Sequence, residues 1–233
     1  AVAYLTRYYK ADAGVVISAS HNPCEYNGIK FFNSDGYKLS DGIEHEIESY
    51  ILGEKAIEEL PTHGKVGYVS ANHNAVEDYV AFAVSTIDCR LDGMKIAVDC
   101  ANGASYETAF KALNKLGANV EAIHNTPDGV NINHMCGSTH MESLQAYVTS
   151  IGADIGIAFD GDADRMLAVD ENGKLIDGDQ IMAACAKFMR DNGTLKQNTL
   201  VATVMSNLGL FMAGEKIGIN IPRTKVGDRY VLE

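Results

Sequence analysis

Met94-Lys95-Ile96-Ala97-Val98-Asp99, then Asn102-Gly103, then the run from Ser105 to Leu116, decides the fold. The first six residues form an apolar, β-rich run that reads as a strand. Asn102-Gly103 is a turn, and Ser105 to Leu116 carries helical spacing that stops at Gly117, a residue suited to closing a helix. Asn119 to Ile123 is again a strand. Met141 to Ile151 is a second helix, closed by Gly152, and Ile155 to Phe159 is a third strand. Met166 to Asp170 pairs with that strand, Asn172-Gly173 turns, and Asp177 to Asp191 is a helix. Strand, helix, strand, helix, strand at this spacing predicts an α/β fold, with mixed, mostly parallel sheets sandwiched by helices.

Outward from this centre, Val2 to Tyr9 suits a helix end and Ala13 to Ser18 a strand whose apolar run, Val15 to Ile17, reads as buried. Lys30 to Asn33 is a second short strand, with Ser34-Asp35-Gly36 as a hairpin turn. Asp41 to Leu52 repeats Ile43, Ile47 and Ile51, an amphipathic helix capped by Ser40 or Asp41. Gly64 to Ser70 reads as strand-like, and Asn74 to Thr86 as a helix. A domain boundary falls around Cys89 to Gly93. Toward the other end, Leu200 to Met205, Ser206 to Lys216 and Ile219 to Thr224 read as strand, helix and strand.

The chain has 233 residues, 46% hydrophobic and 21% charged, which suits one or two globular domains with a sizeable core. Its formal net charge is -12, from 31 acidic and 19 basic residues, which argues against nucleic acid or an anionic membrane as a partner. Five Cys without a C-x-x-C pair read as reduced thiols in a cytoplasmic protein. No apolar run approaches the ~20 residues that span a bilayer, and no signal peptide is recognised.

Two stretches carry chemistry. Ser18-Ala19-Ser20-His21-Asn22-Pro23 puts Ser20 on a loop at a strand tip, since the residue before a proline is pushed out of the helical region. Lys30 follows on the next strand, and a serine near a lysine suits an activated nucleophile or phosphoryl carrier. In Phe159-Asp160-Gly161-Asp162-Ala163-Asp164-Arg165, three carboxylates at alternate positions can turn toward one point. Hard oxygen ligands of this kind suit Mg²⁺ or Ca²⁺ rather than zinc. An EF-hand is excluded, because Arg165 takes its glycine position and strands flank the loop, although Glu171 falls at its twelfth position. A phosphatase with an aspartate nucleophile leaves Ser20 and Lys30 without a role. Arg165 either holds phosphate by a bidentate contact or serves as a partner that neutralises the carboxylates. Gly227-Asp228-Arg229 is placed either to approach a sugar phosphate or to start a helix. His63, His73, His124, His134 and His140 show no metal-ligand spacing and read as loop residues.

Ser18-Ala-Ser20-His21-Asn22-Pro23 with Asn27-Gly28-Ile29-Lys30 resembles the phosphoserine loop of the α-D-phosphohexomutases. Asp160-Gly-Asp162-Ala-Asp164-Arg165 resembles their metal loop, with Ala163 where Gly is more usual. Asp99-Cys-Ala-Asn-Gly-Ala104, Asn131-Ile-Asn133, Cys136-Gly-Ser-Thr-His140 and Thr203 to Leu210 are similar to the phosphoglucosamine branch. The resemblance covers essentially the whole chain.

The resemblance implies repeated domains: residues 1–88 as the C-terminal part of the first, with the phosphoserine loop; 89–191 as the second, with the metal loop; 192–233 as the truncated start of the third. It implies an isomerase of amino-sugar and peptidoglycan-precursor metabolism. Ser20 would carry a phosphoryl group between glucosamine 6-phosphate and glucosamine 1-phosphate through a 1,6-bisphosphate. The implied catalytic residues are Ser20, His21, Lys30 and Arg165; the ligands of Mg²⁺ are Ser20, Asp160, Asp162 and Asp164; Asp228 and Arg229 touch substrate. A homodimer is compatible with it. The alternatives are a phosphomannomutase or phosphoglucomutase, and a non-catalytic metal-binding fragment. Both chain ends look cut from something longer, about half of a four-domain relative, so the chain alone is expected to hold metal without turning substrate over.

Overall fold

A computed structural model describes residues 1–232, and within them all side chains but those of Asp228 and Arg229. The elements in chain order are α1 (Val2–Tyr8), β1 (Ala13–Ile17), β2 (Ile29–Asn33), α2 (Asp41–Ile51), α3 (Ala75–Ser85), β3 (Lys95–Asp99), α4 (Ser105–Lys115), β4 (Asn119–Ile123), α5 (Glu142–Ile151), β5 (Ile155–Phe159), β6 (Met166–Asp170), β7 (Leu175–Ile176), α6 (Gly178–Asp191), β8 (Ala202–Thr203), α7 (Leu208–Ile217), β9 (Arg223–Thr224) and α8 (Asp228–Leu232).

The centre is a five-stranded sheet in the order β4-β3-β5-β6-β7. Strands β4, β3 and β5 run parallel, and β6 and β7 turn antiparallel along one edge. The alternation of the strand dictates the two cores. Ala97 and Ala158 face α5, packing with Leu144, Val148 and Val169, and Gly156 lies against Val148 and Leu144, where a Cβ would not fit. Ile96 and Val98 face the other way and pack with Val120, against Ala109 and Leu113 of α4. The helices end as their residues dictate. Gly152 takes a left-handed conformation after α5, and α6 opens on a capping box in which Asp177 and Gln180 bond each other's backbone N–H.

The N-terminal ribbon of β1 and β2 is antiparallel and carries α1 on one face. A Cβ at Gly14 would collide with the Thr6 hydroxyl, so helix and strand touch backbone to side chain. Tyr4 of α1 stacks on Phe82 of α3 at 3.8 Å, and Lys111 and Lys115 of α4 both pair with Glu77 of α3. These contacts tie the ribbon to the central sheet.

Four sequence expectations change. The run Val15 to Ile17 forms a strand but not a buried one: Val15 and Ile17 are 50% and 72% exposed, because a two-stranded ribbon has a second face with nothing on it among the described residues. Gly64 to Ser70 is not strand-like; it is one 3₁₀ turn, His63–Lys65, and an irregular stretch with Tyr68 and Val69 in solvent. A strand needs a partner for its backbone groups, and none among the described residues reaches this one. The outer strands shrink to β8 and β9, two parallel residues each, flanking α7. The Ile43, Ile47 and Ile51 stripe of α2 leaves none of its residues buried. No helix among the described residues is long and apolar enough to cross a membrane.

Candidate active site

Two loops from different parts of the chain meet at one point. The first leaves β1. Ser18 N–H donates to Gly28 O at 2.9 Å, which closes the loop's base, and Ser20 N–H donates to Ser18 Oγ at 3.0 Å. Ser20 itself sits at φ +55, a left-handed turn that aims its hydroxyl out of the ribbon. The second loop joins β5 to β6. Asp160 is 1% exposed, and its Oδ1 accepts the Arg165 N–H at 3.2 Å, so the loop is folded around its own first carboxylate. Ala163 stands at φ +59, where a glycine would be unstrained; the Cβ costs about 1–2 kcal/mol there.

Ser20 Oγ donates to Asp160 Oδ2 at 2.9 Å across 140 positions of sequence. Lys30 Nζ lies 2.5 Å from Asp162 Oδ2 and 3.7 Å from Asp164 Oδ2. The carboxylate oxygens of Asp160, Asp162 and Asp164 lie within 4.8 Å of one another. Arg165 Nε is 3.9 Å from both Asp160 and Asp164, with its side chain 57% exposed and available to an incoming anion. His21 is exposed beside Ser20. The positions Asp228 and Arg229 lie outside the described side chains.

The electrostatics follow from crowding three carboxylates. Burial and the charges of Asp162 and Asp160 push the Asp164 carboxyl above its usual range. Burial also acts to raise Asp162, but the hydrogen bond and charge of Lys30 outweigh it and hold that carboxyl low. Lys30 is raised by the same bond, against its own desolvation, and is an ammonium at neutral pH. The residues fit a hard divalent cation. The donors are all oxygen, the potential is negative, and Asp162 Oδ1 is buried with no hydrogen-bond partner. Replacing Asp162 by Asn should therefore lower Mg²⁺ affinity at least about tenfold, a loss of ~1.4 kcal/mol. Calorimetric titration of both proteins reads it, and equal affinity would remove Asp162 from the ligand set.

A cavity of about 640 Å³ opens in front of these groups, lined by Ser20, Lys30, Asn102, Tyr106, Ile132 and Asp162 among others. Its floor is crowded backbone. A Cβ on Gly161 would fall 2.5 Å from Ser20 O and 2.6 Å from Asn133 Nδ2, and one on Gly103 would collide with the Gly161 carbonyl. Beneath the floor lies fully buried Asp99. Its Oδ1 accepts Ala101 N–H at 2.9 Å; its Oδ2 accepts Gly137 N–H at 3.0 Å and lies 2.9 Å from His124 Nδ1. His124 is thus a member of this cluster rather than a plain loop residue. Asp99, His124 and nearby Cys136 stand close enough to ligate a metal. The carboxylate is already satisfied by these three partners, however, and burial pushes the Cys136 thiol up to about 11.

Sequence reading missed Gly103, Gly161, Asp99 with His124, and the role of Asn133. Asn131-Ile-Asn133 and Asp99-Cys-Ala-Asn-Gly-Ala104 were visible as motifs, but spacing says nothing of which distant loop they touch.

Family models for the phosphoglucomutase/phosphomannomutase α/β/α domains I, II and III match residues 1–58, 76–173 and 177–233 in that order. A curated phosphoglucosamine mutase of Acetivibrio thermocellus is 62% identical over 232 residues, covering 100% of this chain and 52% of that protein. The chain thus spans about half the length of the curated relatives it matches. Among solved structures, a phosphoglucomutase/phosphomannomutase family protein of Burkholderia thailandensis superposes with TM-score 0.73 at 26% identity, covering 94% of this chain and 46% of that one. The N-acetylphosphoglucosamine mutase of Aspergillus fumigatus, solved with GlcNAc-6P and magnesium, shares the fold at TM-score 0.60 and 19% identity, over 99% of this chain and 60% of that one.

Proposed function

The chain belongs to the phosphoglucomutase/phosphomannomutase family, and from that premise we propose that it supplies the phosphoryl-carrying and metal-binding loops of a phosphoglucosamine mutase. The substrate pair is glucosamine 6-phosphate and glucosamine 1-phosphate. The observation that carries the reading is the 2.9 Å contact of Ser20 Oγ with Asp160. It puts a hydroxyl that can bear phosphate against the carboxylates that can bear a cation.

In this reading phosphorylated Ser20 gives its phosphoryl to the free sugar hydroxyl of glucosamine 6-phosphate. The O–P bond at Ser20 breaks as the bond to the sugar oxygen forms, and the hydroxyl proton leaves with a base of the site. The 1,6-bisphosphate turns over, and its other phosphoryl returns to Ser20 Oγ, releasing glucosamine 1-phosphate. Phosphoryl transfer asks the protein for positioning and charge neutralisation more than for new covalent chemistry. Asp160, Asp162 and Asp164, with an oxygen of Ser20, would hold Mg²⁺, which supplies charge neutralisation at the phosphoryl group. Lys30, an ammonium fixed on Asp162, sets a positive charge beside Ser20 and can give a proton to a leaving oxygen. His21, exposed at the loop tip, can exchange protons with the sugar hydroxyl. Arg165 is free to take a phosphate oxygen. Asp228 and Arg229 extend the same reading toward the sugar phosphate, as does the division at residues 1–88, 89–191 and 192–233. The reduced thiols and the absence of any membrane-spanning helix among the described residues are compatible with a cytoplasmic enzyme.

The test is turnover. The chain, joined to the remaining half of a curated relative, is assayed with glucosamine, mannose and glucose phosphates. Glucosamine phosphate should be turned over with the highest kcat/KM. Preference for mannose or glucose phosphate would move the chain to another branch, and no turnover of any would leave a metal-binding fragment. The chain by itself should bind Mg²⁺ and turn nothing over.

A further inference from the structure

We propose that Asn133, on the stretch between β4 and α5, is a positioning residue: its side-chain amide holds the serine loop in place beside the aspartate loop by donating to two carbonyls at once. Nδ2 lies 2.8 Å from Ser20 O and 3.0 Å from Asn22 O, across 113 and 111 positions of sequence. The residue is 6% exposed. The mutase reading enters only through the effect on turnover; the clamp itself stands on contacts.

The residue type fits the task. A primary amide carries two N–H donors on one nitrogen, so a single atom can hold two carbonyls. Asn133 stands at φ +57, and Asn tolerates that left-handed region better than most residues. Its orientation is decided by its partners. A flipped amide would set its oxygen against two carbonyl oxygens, so the nitrogen faces the serine loop and Oδ1 is left buried without a partner.

The clamp has a fixed base. Asn133 N–H donates to Ala101 O at 2.9 Å, and Ala101 N–H donates to the buried Asp99. A chain of bonds therefore runs from the core of the sheet to the carbonyl of Ser20. Gly161 completes the arrangement, since its bare Cα lets the Ser20 carbonyl and Asn133 Nδ2 approach together. Neighbouring Asn131 does something else. Its side chain bonds Asp128 and Thr126 within its own loop and accounts only for that loop's shape.

The test uses the ¹⁵N-labelled chain as wild type, Asn133→Asp and Asn133→Gly. Both replacements tolerate positive φ; Asp keeps the shape but loses the donors, and Gly loses the side chain. Amides of residues 19–22 should exchange with solvent about tenfold faster in both variants, by the loss of two local bonds. Amides of β3 should keep their wild-type shifts and protection. On adding Mg²⁺, residues 160–165 should still respond in the variants, while the accompanying response of Ser20 seen in wild type disappears. In the joined, active protein kcat should fall at least about tenfold with KM changed less than threefold. A merely structural role would reduce the folded fraction and leave both constants of that fraction alone. Wild-type exchange at 19–22 in both variants would overturn the clamp, as would equal loss of protection throughout β3. If Mg²⁺ fails to move residues 160–165 even in wild type, the metal reading falls, and the exchange comparison still decides the clamp.

Discussion

On the proposed mutase reading, replacing Ser20 by alanine in the joined protein should lower turnover by at least about a thousandfold, while the fold survives. A nucleophile that carries the transferred group has no substitute, and its loss costs far more than loss of a group that only assists. The structural cost is small. Ser20 lies on a loop, and its hydroxyl donates to Asp160 Oδ2. Removing it leaves that oxygen short of one donor, on the order of 1 kcal/mol, against a core built elsewhere on β3, β5 and α5. Circular dichroism reads the fold, and a coupled assay of the joined protein reads the rate. Activity above a few per cent of wild type would rule out Ser20 as phosphoryl carrier. Incorporation of labelled phosphate should disappear in the same variant, which separates loss of the carrier from loss of substrate binding.

Gly161→Ala should cost about a hundredfold in kcat without touching any charged group. The backbone of Gly161 does not lie in the left-handed region, so alanine is not strained by its own φ. The obstacle is the opposing loop. The new Cβ would lie 2.5 Å from Ser20 O, 2.6 Å from Asn133 Nδ2 and 2.9 Å from Ile132 Cδ1. Two of these atoms sit on backbone or on a clamped amide and cannot swing aside. The serine loop must retreat by roughly 1 Å, and misplacements of that size cost about 10² in rate. Mg²⁺ affinity at the aspartates should change far less, since all three carboxylates remain. Gly42→Ala is the control. Its Cβ meets nothing within 4 Å, so it should be neutral or slightly stabilising inside α2. Near-normal turnover in Gly161→Ala would mean that the close approach of the two loops is not needed for catalysis.

Much of this protein could be read before any coordinates. The strands and helices from Lys95 to Asp191 carry their periods in adjacent residues, and Gly117, Gly152, Asp177 and the Asn-Gly turns mark their ends. Such signals are local, so they survive without knowledge of the fold. Ser20, Lys30 and the three aspartates stood out for the same reason, as residue types at spacings with few other uses.

Where the reading failed, the missing information was a neighbour. Val15 to Ile17 has a buried strand's composition, yet burial depends on what covers the second face of the ribbon. Gly64 to Ser70 has residues a strand would accept, yet a strand exists only where another chain segment answers its hydrogen bonds. His124 showed no ligand spacing because its partner, Asp99, lies 25 positions away in sequence and 2.9 Å away in space.

The sequence by itself determined most of the elements, above all those from Lys95 to Asp191, their order, and the chemical character of two loops. Only the tertiary structure decided that these loops make one site. The Ser20–Asp160 bond spans 140 positions, and the Asn133 clamp spans more than a hundred. Periodicity extends over a few turns of chain; contact between loops depends on how the ribbon packs through α1 and α3 against α4. It depends also on two glycines, 103 and 161, whose missing side chains leave the space in which Ser20 meets the aspartates.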